Sequence, residues 1–269
     1  MHYTLNNDTL ATLGIEAGSL LYQSGAADEL VLTANHEITD AHLWAYGDTV
    51  TLRQHANAQD PGTIIFVGRQ ERALPSASSN AHATEYKLLG PYYYVENVAF
   101  RQTWVTKSDD GVGGIAVGSK IVTRSILGQA DNGDRETNGD VITSALNRAS
   151  AGGTRFLVGT IDPAVEHPWE EIVDMMCSEV VSRMLRWSPD CVSFFDYTTS
   201  PPTLHIRKLS NLTAADLATA DGSPNNFGNM VSNVQLYDRP DLAPAGVVIR
   251  YDITHSNNDG TFQSFQTDK

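Results

Sequence analysis

Two strand-like runs joined by a pair of prolines constrain this chain more than any other feature. Residues 192–197 (VSFFDY) and 203–207 (TLHIR) are rich in β-branched and aromatic side chains, and Thr198-Thr199-Ser200-Pro201-Pro202 separates them. Neither proline has an N–H for a ladder, and each biases its predecessor toward extended geometry, so pairing must stop there and the join must be stiff. Just upstream, a helical pattern ends near Trp187 and Ser188-Pro189-Asp190 makes a tight turn. The segment predicts helix, strand, rigid turn and strand, with the hairpin packed on the helix before it.

The first third of the chain points to β structure as well. Residues 29–34 (ELVLTA), 49–53 (TVTLR) and 63–69 (TIIFVGR) are β-rich runs spaced by turn residues, as in a β-barrel or sandwich. Before them, Gly14, Gly18 and Gly25 leave helix and strand open around Leu20-Leu21-Tyr22. Alternation across Tyr92, Tyr93, Tyr94, Val95 and Glu96 predicts a strand with aromatics on both faces, and Phe100 and Trp104 continue the apolar run. These aromatics fit a core or a subunit interface; exposed, they would form a stacking platform for sugars or bases.

Residues 107–118 (KSDDGVGGIAVG) predict a hairpin tip or loop ahead of a strand over 119–127. They lack the GK[ST] ending of a P-loop and the strand–helix setting of a dinucleotide motif. Residues 129–140 (QADNGDRETNGD) are acidic, but counting from Asp131 puts Gly133 and Arg135 where an EF-hand needs oxygen ligands. A solvated loop is expected there, although an irregular calcium site would also suit its composition.

Two helices are predicted next. The first is capped around Asn138-Gly139-Asp140, buries Val141, Ile142, Ala145, Leu146 and Ala149, and ends at Gly152-Gly153. After a strand over 154–160, the second opens at Pro168 with Glu170 and Glu171 in its first turn. It carries Trp169, Ile172, Val173, Met176, Val180, Met184 and Trp187 at spacings of three and four, with Arg183 and Arg186 at its negative end. Beyond the hairpin, a short helix over 211–220 and strands over 230–237 and 247–254 are expected, with nothing further along to pair the last of them.

The 18 basic and 32 acidic residues give a net charge of −14 without a long acidic block. That balance argues against a surface that grips nucleic acid, which needs clustered cations, but an acidic wall would let DNA slide past. No run approaches the ~18 apolar residues of a membrane span, and the first residues lack the basic and apolar regions of a signal peptide, so synthesis in the cytosol is expected. Cys177 and Cys191 do not make a disulfide framework, and Cys177, on an apolar helical pattern, is expected to be a reduced core thiol.

Spacing supplies no catalytic or metal constellation. Glu166-His167 has no second histidine within four residues, the eight histidines are scattered singly, and there is no G-x-S-x-G elbow. A glycosidase pair could be assembled only by folding, and 32 carboxylates give too many choices. No catalytic residue, cofactor or metal site is therefore expected, and Tyr92, Tyr93, Tyr94 and Trp104 stand as the candidate interface or binding residues.

Two stretches resemble a known family. Gly47, Asp48 and Val50, then Phe66 and Gly68, then Tyr86, Leu88 and Gly90 follow the order "G-D-x-V", "x-x-F-x-G" and a strand ending in glycine. Phe195, Tyr197, Pro201, Pro202, Leu204 and Ile206 make F-x-Y-x-x-x-P-P-x-L-x-I after a helix and a tryptophan. This order resembles the baseplate hub, or late-control, proteins of tailed bacteriophages, and residues 230–251 resemble the entry to that family's second barrel. The resemblance implies an α+β, mainly β fold: two tube-type β-barrels with an inserted small α/β segment. The regions would be a first barrel over 1–107, a hairpin and α/β segment with two helices over 108–210, and a second, shortened barrel over 211–269. It also implies a non-enzymatic part of the virion, made in the bacterial cytoplasm, that joins tail tube to spike as a homotrimeric ring around a DNA channel. Its partners would be itself and other tail tube or spike proteins, with DNA passing unbound. Two other classes stay open: the N-terminal part of a tail-associated cell-wall hydrolase, whose active module would lie beyond residue 269, and a carbohydrate-binding β-domain.

Overall fold

Burial alternates residue by residue along residues 29–34 and 49–54, and that alternation builds a sheet with one covered face. The computed structural model describes residues 2–36, 41–57, 59–78, 81–109, 115–122, 124–130, 134–212, 246–253 and 261–268. Its first seven strands are β1 (His2–Leu5), β2 (Asp8–Thr9), β3 (Ile15–Leu21), β4 (Glu29–Ala34), β5 (Thr49–His55), β6 (Thr63–Ser78) and β7 (Ala81–Leu89). They form one antiparallel sheet in the order β2-β1-β5-β6-β7-β4-β3. Leu5, Leu30, Leu32, Val50, Leu52, Phe66, Tyr86 and Leu88 all point into a single core.

That shared core requires curvature. The hydroxyl of Tyr22, just past β3, donates to the Ile65 carbonyl of β6 at 2.8 Å, so the β3 edge folds over toward the middle of the sheet. The two edges, β2 and β3, are joined by residues 10–14 but are not hydrogen-bonded to each other as a ladder. Among the described residues no closed barrel is found, and the chain is mainly β with few helices. Strand β6 also runs past Arg69 through the polar spacer, because a ladder needs only backbone groups; Gln70–Arg72 carries a register shift against β7. Gly68 has no room for a side chain: a Cβ would lie 2.7 Å from the Leu89 carbonyl oxygen.

The tyrosine run is a helix, α1 (Tyr92–Asn97), rather than the expected strand. Its alternation was misleading because Tyr92 and Val95, three apart, are the buried pair, which is helical spacing. After it, β8 (Gln102–Asp109) and β9 (Ile115–Val122) make the expected hairpin, whose tip lies outside the described residues. β10 (Arg124–Leu127) follows.

Helix α2 (Asn138–Ala149) is capped by Thr137, one residue before the expected cap. Thr137 accepts from the Asp140 N–H at 3.2 Å while the Asp140 carboxylate accepts from the Thr137 N–H at 2.9 Å, a reciprocal box. All five expected stripe residues are buried, and Ala151, Gly152 and Gly153 turn out of the helix with positive φ. β11 (Leu157–Ile161) comes next.

The expected long helix from Pro168 is replaced by two elements. Glu170–Val173 is a strand, β12, paired antiparallel with β10, and α3 begins only at Cys177 and ends at Leu185. An open strand edge at β10 outweighs the local helical spacing, and Asp174, with φ of +51°, turns the chain between them. Trp169, Val173 and Met176, expected on the buried stripe, are exposed; Val180 and Met184 are buried as expected. Glu170 pairs with Arg183 from the strand, and Glu179 takes the acidic place in the first turn of α3.

The proline-joined hairpin forms as β13 (Cys191–Asp196) and β14 (Thr203–Lys208), and β11 adds parallel to β14. A second core gathers α1, α2, α3, Phe156, Leu204 and Ile206. β13 links the two cores. Phe195 meets Phe156 edge-on at 5.8 Å, while Tyr197 lies 5.7 Å from Phe66 and donates its hydroxyl to buried Asp28 at 2.5 Å. Cys177 is a free thiol in the second core, where burial pushes its pKa up to about 11.

Residues 223–269 form a separate unit. In it β15 (Gly246–Ile253) pairs antiparallel with β16 (Thr261–Asp268), so the last expected strand does have a partner despite the polar sequence of β16. The expected helix over 211–220 and strand over 230–237 lie outside the described residues, except for a 3-10 turn at Leu209–Asn211.

Candidate functional site

The end of β7, the start of α1 and the turn after α2 come together beside β5 and β6. The expected aromatics divide there. Tyr92 points into the second core, and burial holds its hydroxyl well above the usual phenol range. Tyr93 and Tyr94 are half-buried and meet edge to face at 5.7 Å. Trp104 lies on β8 opposite Lys120, in a different sheet from the β5–β6 wall.

Neither half-buried tyrosine offers a free ring face on the side its arginine covers. The Arg69 guanidinium sits 4.6 Å over Tyr93 and 5.2 Å over Tyr46, and the Arg155 guanidinium sits 4.6 Å over Tyr94. Desolvation and a hydrogen bond with Tyr46 raise the pKa of the Tyr93 hydroxyl.

These side chains border a cleft of about 660 Å³. Its floor is β5 and β6, with Arg53, Val67 and Arg69; Tyr94 and Arg155 stand on one wall, and the rigid Ser200-Pro201-Pro202 turn closes another. The arginines were missed in sequence because they arise from β5, β6 and the loop after α2, at no motif spacing.

Among the described residues, no group of three or more His, Cys, Asp or Glu side chains is placed to hold a metal. His167 shares a hydrogen bond of 2.8 Å with the Pro168 carbonyl and stacks on Trp187, while Glu166 pairs with Arg135. Part of the acidic loop, 131–133, lies outside the described residues. No described helix is long and apolar enough to cross a membrane.

No protein-family model matches the sequence, and no curated protein matches it. Two solved structures similar to it are prophage tail proteins. The 43 kDa tail protein of prophage MuSo2 from Shewanella oneidensis is 10% identical over 70% of this chain, with a TM-score of 0.43. Prophage tail protein gp18 from Listeria monocytogenes is 9% identical over the whole chain, with a TM-score of 0.46. The chain spans 48% of the Shewanella protein and 67% of the Listeria protein.

Proposed function

We propose that this chain is a structural component of a phage or prophage tail, a baseplate hub that joins tail tube to spike as a homotrimeric ring around the DNA channel. The observation that carries it is how the resembling segments assemble. Val50 on β5, Phe66 on β6, and Tyr86 and Leu88 on β7 fall on three neighbouring strands of one curled sheet and fill one core. The F-x-Y hairpin, at the other end of the resemblance, packs its Tyr197 against that same Phe66. Segments more than a hundred residues apart in the pattern thus share one contact.

In this role the curled sheet serves as the first tube-type barrel and residues 211–269 belong to the second. The edge strand β3, with Leu21 exposed at its end, suits strand addition by a neighbouring copy. The net charge of −14 suits a conduit that DNA traverses without sticking. The protein works without catalysis, in the virion, after synthesis in the bacterial cytoplasm.

The test is mass spectrometry of tail particles purified from the induced source strain. Roughly three copies per particle are expected from a threefold ring. Particles that contain their other tail proteins but lack this chain would overturn the proposal and direct attention to hydrolase activity.

A further inference from the structure

In a protein with 32 acidic and 18 basic residues, a cleft that gathers three arginines and no carboxylate is a local reversal of charge. Arg53, Arg69 and Arg155 all line it, and among the described residues no Asp or Glu does. Elsewhere Arg72, Arg101, Arg135, Arg183 and Arg207 each pair with a carboxylate, while Arg148 donates to the Ala99 carbonyl. The three cleft arginines make no ion pair among the described residues.

Their stems are nevertheless held. Arg53 donates to the Gly62 carbonyl at 3.3 Å and Arg155 to the Ala149 carbonyl at 3.0 Å. Arg69 is clasped between Tyr46 and Tyr93, and its buried Nε has no hydrogen-bond partner among the described residues. Carbonyls and ring faces position a guanidinium but leave its charge whole and most of its five N–H groups free. Val67, Leu89 and Pro91 line the same space and lower the dielectric around that charge.

We infer that this cleft is a binding site for an oxyanion, a ligand that brings carboxylate or phosphate groups to Arg53, Arg69 and Arg155. Guanidinium is the side chain best matched to such groups, because its planar fork makes two parallel charge-assisted bonds to them. The volume, about 660 Å³, accommodates a ligand with more than one anionic group. A neutral sugar would leave the three guanidinium charges without a counter-charge, and Arg155 already covers one face of Tyr94. This site is independent of the tail assignment and stands or falls separately from it.

The test titrates isotopically labelled full-length chain with sodium phosphate and, separately, with sodium citrate, holding ionic strength constant with sodium chloride. Arginine Nε–Hε resonances are the readout. Saturable shifts at Arg69 and Arg155 are expected, with affinity weakened roughly tenfold or more in Arg53→Gln and Arg155→Gln. Arg186→Gln, at an exposed position outside the cleft, should bind as the unaltered chain does. Saturation by phosphate alone identifies a phosphate site, by citrate alone a carboxylate site, and either supports the inference. Shifts that follow ionic strength alone with both anions would overturn it. So would undiminished affinity in the folded Arg53→Gln/Arg155→Gln double variant. Among the described residues Arg53 has one carbonyl bond and no ring contact to lose, so its variant decides the matter if Arg155→Gln fails to fold.

Discussion

The curled sheet and the helix-containing core are of similar substance but are specified in different ways. In the sheet, each strand announces its own inward face: Leu30, Leu32 and Ala34 alternate with partly exposed neighbours on β4, and Val50 and Leu52 do the same on β5. In the second core, a strand paired with β10 interrupts what reads locally as one long helix, and the tyrosine run that reads as a strand is helical. Local period is a faithful guide where each strand has one buried face. It fails where a short element borrows its conformation from a distant partner. The hairpin belongs to both regions, since Phe195 packs with each core and Tyr197 reaches Asp28.

If that hairpin couples the cores, damage to one must be felt in the other. Phe66→Ala removes a fully buried ring from the sheet core and should cost about 3–5 kcal/mol. In urea, fluorotryptophan resonances of Trp44, in the sheet core, and Trp187, beside the helices, should then fade in a single transition. Two separated transitions would break the coupling.

A smaller lesion tests the link itself. Tyr197→Phe leaves the buried Asp28 oxygen without its donor and should cost about 1–3 kcal/mol. Burial raises the Asp28 pKa, and the Tyr197 hydrogen bond opposes that rise. A carboxyl raised in the folded state contributes stability that is full below the ordinary carboxylate value and is lost as pH rises through the folded value. Removing the hydroxyl raises the folded value further, so the loss in Tyr197→Phe should grow from acid toward neutral pH. Urea melts of both proteins across that range check the sign; a flat difference would show that Asp28 does not ionise in the fold.

The smallest effect should be confined to one helix end. Thr137→Ala removes half of the box that starts α2 and should cost about 1 kcal/mol. Hydrogen exchange should quicken in the first turn of α2 while the amides of β4 and β5 stay protected. Equal loosening of the sheet would mean that the two regions are less distinct than their packing indicates.

By itself the sequence determined the elements whose signals are local. The strands at 29–34 and 49–53, the stripe and glycine exit of α2, and the proline-joined hairpin all follow from side-chain period, the missing N–H of proline and the freedom of glycine. Tertiary structure alone decided the rest. It made 170–173 a strand because β10 offered an unpaired edge, and it carried β6 through polar residues because β7 supplied the hydrogen bonds. It also brought Arg53, Arg69 and Arg155 to one cleft, from three elements that no spacing relates. Periodicity records which way a side chain faces its own element, whereas pairing and charge clustering depend on neighbours that only the folded chain brings near.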